Sequence, residues 1–390
     1  MGLRARILAH LEFVELACSV GSESGGRTGG DDANSTGPSA AGTPAVASRA
    51  EVTNPCGNDV EVAATQAERV PRSVLETALD TLVDRHEGFA DHFRRLGVDW
   101  TPESPWVTGE FLYPLFSGGG SPDIDSFVEH IYGALVPFCL PRGEVRRVLS
   151  RARADGDYRS IIRLGDRARD LFVRTRGAQT NGGEAGELML FLMLEQILRA
   201  PLLVSKMNLK TNSNMNVHGR DGIHVRWDKT LDTLVLHLGE SKLHEDFASG
   251  IDDAIDSILE YQTELRLRRR EIALINGHMD LTGLPPAAES QLRDMLHPYS
   301  GRPVSLPTVH TCLIGFEYPA YSAVAHVSPA EIEEAFRKQY TKRADKIREQ
   351  VCRKVGDRLP PPARLSIFVF PFPDLQAFRL TFAQRLGMSI

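Results

Sequence analysis

The stretch Leu234-Val235-Leu236-His237-Leu238-Gly239-Glu240-Ser241-Lys242 decides how this chain is read. Leu234, Leu236 and Leu238 alternate as in a strand with one buried face, and the side-chain period of two carries that face on through Glu240 and Lys242. A carboxylate and an ammonium ending a core-facing row are costly unless each charge finds a partner. A bound cation and a reacting anion are partners of that kind.

Upstream, Gly222 to Trp227 alternates as well, with Ile223, Val225 and Trp227 on one face, and Asp228 to Asp232 has the polar composition of a hairpin turn. A turn centred between Thr230 and Leu231 predicts Trp227 opposite Leu234, Val225 opposite Leu236, Ile223 opposite Leu238 and Asp221 opposite Glu240. Cβ atoms of opposed residues lie about 5 Å apart, so these two carboxylates repel unless something positive lies between them. A hard divalent ion with oxygen ligands meets that need, magnesium first and manganese as the alternative, rather than zinc.

The flanking pattern supplies the rest of a core. Glu184 to Arg199 reads as a mostly buried helix with Glu187 in its first turn, where a carboxylate suits the helix dipole. Ala200-Pro201 ends it, and Leu202-Leu203-Val204 follows as a strand. A helix from about His244 to Leu267 carries Phe247, Ile251, Ala254, Ile255 and Ile258 at three- and four-residue spacing, and Val309 to Phe316 reads as another strand.

The order αβββαβ, with Glu187 on the first helix, Asp221 at the second strand and Glu240-Ser241-Lys242 on the third, resembles the PD-(D/E)xK nuclease superfamily. Arg220, not proline, precedes Asp221, which leaves the carboxylate in place. A closer resemblance is carried by Gly186-Glu187-Leu188-Met189-Leu190, Ser205-Lys206-Met207, Lys210-Thr211, His218 to His224, Leu238 to Lys242 and the strand Leu365 to Pro371, with a closing Phe-rich segment around Phe378 and Phe382. These are similar to HamA, the nuclease subunit of Hachiman anti-phage defence. The resemblance implies a metal-dependent deoxyribonuclease working beside a helicase. Asp221, Glu240 and the Ser241 carbonyl would hold magnesium, Glu187 a second metal or its water, and Lys242 would orient the attacking water.

Each of these residues also has a plainer reading. Glu187 alone reads equally as a helix-start charge, Asp221 as a turn residue beside Gly222, and Glu240 with Lys242 as an ion pair at a strand end. The ordered set is what argues for chemistry. His218, His224, His237 and His244 offer a rival transition-metal site. His224 and His237 fall on the strand faces opposite to Asp221 and Glu240, however, and so do not converge with the carboxylates, whereas His218 and His244 lie outside the two strands and could approach the phosphate.

The expected fold class is therefore α/β, a restriction-endonuclease-like core with a mixed central sheet flanked by helices, preceded by an α+β extension. Residues 1–66 include a Gly-, Ser-, Ala- and Pro-rich stretch too poor in large apolar groups to offset the entropy of ordering. Residues 67–178 read as a mixed segment, with a helix over Ser73 to Leu96, strand-like pieces near Phe111 and over Tyr132 to Leu140, and an Arg-rich helical end; residues 179–390 form the nuclease domain.

With 390 residues, 42% of them hydrophobic, no membrane-length apolar run, and five widely spaced cysteines, the expectation is a cytoplasmic protein with reduced thiols. The net charge of −6 is no obstacle to DNA, because local fields matter more than totals. Arg142 to Arg176 holds eleven arginines against five acids, and Arg337 to Arg364 ten basic residues against three acids; either run alone reads first as a solvated helix face, and it is the two flanking one candidate site that point to phosphate contact. The other reading kept open is a non-catalytic DNA-binding or adaptor subunit on a degenerate nuclease fold. A nucleotide-hydrolysing switch is disfavoured, since Gly118-Gly119-Gly120 is not followed by Lys-Ser or Lys-Thr.

Overall fold

A computed structural model describes residues 70–84, 88–100, 106–175, 183–205, 207, 221–264, 275, 277–296, 306–360 and 363–388. Residues 1–66, the boundary region 177–182, and Lys206, Lys210, Thr211 and His218 to Arg220 lie outside them. The segment Thr65–Ile390 is one compact unit.

Its centre is a seven-stranded mixed sheet in the order β1-β2-β7-β6-β5-β4-β3. The strands are β1 (Phe93–Arg95), β2 (Val107–Pro114), β3 (Leu202–Ser205), β4 (Gly222–Asp228), β5 (Thr233–His244), β6 (Thr308–Glu317) and β7 (Arg364–Phe372). The run β2, β7, β6 and β5 is parallel; β1 at one edge, and β4 and β3 at the other, pair antiparallel. The inner strands β6 and β7 are buried almost throughout, as parallel strands covered on both faces must be.

Helices cover both faces. In chain order they are α1 (Arg72–Asp80), α2 (Ile124–Gly133), α3 (Leu135–Cys139), α4 (Arg142–Asp155), α5 (Tyr158–Thr175), α6 (Gly183–Gln196), α7 (Phe247–Thr263), α8 (Pro286–Leu296), α9 (Ala320–Val324), α10 (Ile332–Arg358) and α11 (Leu375–Arg385). Strand alternation divides the cores. Leu313, Phe368, Phe370 and Phe372 pack with α6, α3, α5 and α11, whereas Cys312, Ile314, Phe316, Ile367 and Val369 pack with α7 and α10. Helix α10 docks through one stripe, Phe336, Tyr340, Ala344, Ile347, Val351 and Val355, at three- and four-residue spacing. A third core joins Ile223, Val225, Leu234 and Leu238 to α1 and α8.

The β4–β5 hairpin has the register its sequence predicts, Trp227 opposite Leu234, Val225 opposite Leu236 and Ile223 opposite Leu238. The turn is fixed by Asp228, whose Oδ1 accepts from the N–H groups of Thr230 at 2.9 Å and Leu231 at 3.0 Å. The order α6-β3-β4-β5-α7-β6 is as expected, with α8 inserted before β6.

Several elements depart from the sequence reading. The helix expected over Ser73 to Leu96 stops at Asp80; Gly88 turns the chain at φ 80°, and Phe93–Arg95 pair instead with Leu112–Pro114. Tyr132 to Leu140 is not a strand but the end of α2 followed by α3, a short apolar run of the kind whose periodicity does not separate buried helix from strand. His244 ends β5 rather than starting α7, because Asp246 caps that helix by accepting from the Ser249 N–H at 2.9 Å. Helix α6 begins at Gly183, so Glu184 occupies the first turn and Glu187 lies beyond it.

The segment before residue 179 is built into the same sheet through β1 and β2, and the Arg-rich α5 buries Leu164, Ala168 and Phe172 in the core shared with α6. The described cysteines, Cys139, Cys312 and Cys352, are free thiols. Among the described residues no helix is long and apolar enough to cross a membrane.

Candidate active site

The second half of β5 departs from the apolar row that precedes it. Glu240, Lys242 and His244 continue the face of Leu234, Leu236 and Leu238, and their parallel partners Cys312, Ile314 and Phe316 fix it as the face under α7. Lys242 Nζ lies 2.8 Å from Glu240 Oε1, and the Ser257 hydroxyl of α7 donates to the same oxygen at 3.4 Å. The side chains of Glu240 and Lys242 keep 14% and 23% of their exposure, so the pair is largely withdrawn from water. Burial opposes the Lys242 ammonium, but the charge and hydrogen bond of Glu240, with the fields of Asp221 and Asp253, hold its pKa above that of an ordinary lysine.

Asp221 stands where β4 leaves its ladder. Gly222 is the last residue paired, opposite Gly239, and the Asp221 N–H also goes to the Gly239 carbonyl, at 2.9 Å. The Asp221 carboxylate turns to Ser241, accepting from its N–H at 2.8 Å and its hydroxyl at 3.0 Å. Ser241 thus enters by positioning Asp221.

Glu187 comes from the other side. Ser241 and Leu243 alternate with Glu240 and Lys242, and a Cβ on Gly186 would meet Leu243 Cγ at 3.1 Å and Ser241 Oγ at 3.2 Å. Helix α6 therefore covers the face opposite to the Glu240–Lys242 pair, with Glu187 next to Gly186 in the chain. Its charge is felt by the Cys139 thiol, which burial first and Glu187 second push up to about 12.

Among the described residues, the histidines of the rival site do not converge. His224 gives Nδ1 to the Ala200 carbonyl at 2.8 Å, His237 has Nδ1 2.9 Å from Thr311 Oγ1, and burial drives their pKa values down to about 4 and about 3. Both are neutral core residues. No group of three or more His, Cys, Asp or Glu among the described residues is arranged to hold a metal ion. Asp221 and Glu240 nonetheless fit magnesium in donor chemistry, since that ion keeps much of its water and takes one or two carboxylates besides substrate oxygens.

The sequence reading misses Ser257, which meets Glu240, and takes Asp253 with Asp252 and Asp256 for the polar stripe of α7, whereas its Oδ2 is 3.1 Å from His244 Nε2. Asp253 and Ser257 are four residues apart on one helix face, a spacing that signals convergence only once the strand they cover is known.

The HamA family model matches residues 91–386, from the turn before β1 to the end of α11. The chain belongs to the HamA family. HamA is a component of Hachiman anti-phage defence. The matched span contains every candidate site residue and starts well before Gly186, in keeping with the place of β1 and β2 in the sheet. Among curated proteins, none matches this HamA chain.

Proposed function

We propose that the chain is a magnesium-dependent deoxyribonuclease of the PD-(D/E)xK type, the effector of a cytoplasmic defence system in which it works with a helicase. The observation that carries this is the meeting of Asp221, Glu240 and Lys242 at one strand end, with the lysine held charged in a partly buried setting. Such perturbed charges in a family tied to defence against phage suit phosphodiester chemistry.

Asp221 and Glu240 would hold the cation, with the Ser241 carbonyl beside them and Glu187 of α6 for a second metal or its water. When bound, magnesium supplies Lewis acidity toward a non-bridging phosphate oxygen and a lowered pKa for a coordinated water. Lys242 would orient the attacking water and stabilise the negative charge that builds on the phosphoryl oxygens, loosening its contact with Glu240. Ser241 keeps the Asp221 carboxylate aimed, through its backbone and side chain together. Ser257 does the same for Glu240.

One observation favours the second reading, a binding subunit without cleavage: both carboxylates already accept protein hydrogen bonds, so the site is self-consistent as it stands. Incubating the purified chain with plasmid, with and without magnesium and beside Glu240→Gln, separates the two. Nicking that needs magnesium and Glu240 supports the nuclease; DNA binding with no cleavage in magnesium or manganese supports the binding subunit. The helicase pairing is tested by co-expression with a helicase encoded next to it, where a stable complex is expected and cleavage waits for DNA and ATP.

A further inference from the structure

Beyond Lys242, the same face of β5 presents one more basic side chain, and its surroundings hold it in a single orientation. His244 lies two residues on, about 7 Å along the strand at ~3.4 Å per residue. Its Nε2 is held by Asp253 of α7 at 3.1 Å. Helix α7 is fixed close above it: a Cβ on Gly250 would meet Ile314 Cγ2 at 2.8 Å and His244 Cδ2 at 3.6 Å. Exposure rises along the row, from 14% at Glu240 and 23% at Lys242 to 31% at His244, so the row climbs from the buried charges toward water. On the far side of the strand Arg379 Nη2 donates to the Leu243 carbonyl at 2.9 Å, adding positive charge at the same end.

We propose that His244, oriented by Asp253, is a second phosphate-binding position, taking the backbone phosphate next to the one at Lys242; this rests on the nuclease reading for the identity of the first phosphate. With Nε2 facing Asp253, Nδ1 is the ring nitrogen left for a phosphate oxygen, which would accept its N–H. Two donors one phosphate step apart on a rigid strand fix the direction of the nucleic-acid strand across the site, which a single lysine does not. His244 is thus a positioning residue for the substrate, and Asp253 positions His244.

The test measures binding separately from cleavage. In a Glu240→Gln background, the affinity of the full chain for a fluorescent duplex is measured across a salt series. His244→Ala should weaken binding severalfold at low salt, equally for different sequences, and lower the slope of log affinity against log salt by about 1, the signature of one lost phosphate contact. His244→Lys should restore the slope, and in the cleaving protein His244→Ala should raise KM more than it lowers kcat. An unchanged slope in both His244→Ala and His244→Gln, with or without a fall in melting temperature, gives the pair a purely structural role and overturns the proposal, as does failure of the Glu240→Gln protein to bind DNA at all. If that protein binds and His244 alters the slope while the unaltered chain never cleaves, the phosphate position stands and the nuclease reading falls.

Discussion

On one side of α7, Asp252 and Asp256 meet Lys354 and Arg358 of α10; on the other, Asp253 and Ser257 meet His244 and Glu240 of β5. Both sets are acids and bases a few ångströms apart. The α10 side is a clamp between two amphipathic helices, with its acids well exposed and its bases, Lys354 at 20% and Arg358 at 32%, partly covered. Pairs of that kind contribute little, typically under about 1 kcal/mol. On the β5 side the Asp253–His244 pair is as open as the clamp, whereas Glu240 and Lys242 are both largely withdrawn from water and have few alternatives to each other. Proximity of opposite charges therefore says little about function; the inability of the charges to relax into water says more.

The comparison is broken most directly by Glu240→Gln or Asp221→Asn. Either should lower magnesium-dependent plasmid nicking by roughly 10²–10³-fold, on the scale of one lost electrostatic contact to a transition state, while leaving the far-UV spectrum and melting temperature nearly unchanged. Chelating divalent ions should abolish nicking of the unaltered chain. Near-normal nicking by a folded Glu240→Gln protein would make the strand end no different from the clamp.

Acid provides a middle-sized effect and probes the strands beneath the site. His224 and His237 are opposed across β4 and β5 and are held neutral by burial, with pKa values of about 4 and about 3 against an ordinary 6.5. The unfolded chain therefore binds more protons than the folded one below pH 6.5. Stability should fall as pH drops from 6.5 toward 4, by up to about 1.4 kcal/mol per pH unit for each imidazole, and should be indifferent to these groups above pH 7. Urea midpoints at pH 7, 6 and 5 measure this, and His224→Asn should flatten the dependence. An equally steep curve in that variant would assign the acid sensitivity elsewhere.

The smallest effect belongs to the clamp. Asp252→Asn with Asp256→Asn should cost about 1 kcal/mol or less in stability and leave nicking per folded molecule unchanged. A hundredfold loss of nicking there would show that α10 charges reach the chemistry.

Much of this could be read from the chain because local patterns reported local geometry. The β4–β5 register followed from alternation and one Asp-led turn, and the candidate carboxylates from where that alternation turns polar. What escaped was set by distant pairing. Phe93–Arg95 became a strand because β2 was there to receive it, and the apolar run at Leu135–Cys139 became helical because a core already stood around it. In the basic run of α10, Arg348 holds the Asp99 carbonyl and Lys354 and Arg358 hold α7, contacts that composition does not show, while Arg337, Lys338, Lys342, Lys346 and Arg353 are exposed. His244 was expected near the phosphate but at a helix start, so its place on the β5 row with Glu240 and Lys242 went unread.

The position of β7 in the sheet also sets an order of events during synthesis. The β1–β2 pair and the β3–β6 strands have no common neighbour except β7, whose residues 364–372 emerge long after β2 and some tens of residues after β6. At roughly 5–20 residues per second, the ribosome takes a matter of seconds to pass from Glu317 to Arg364. Through that interval the strands bearing Asp221, Glu240 and Lys242 exist without the partner that joins them to the rest of the sheet, so the growing chain completes its most consequential surface only as its last strand is delivered.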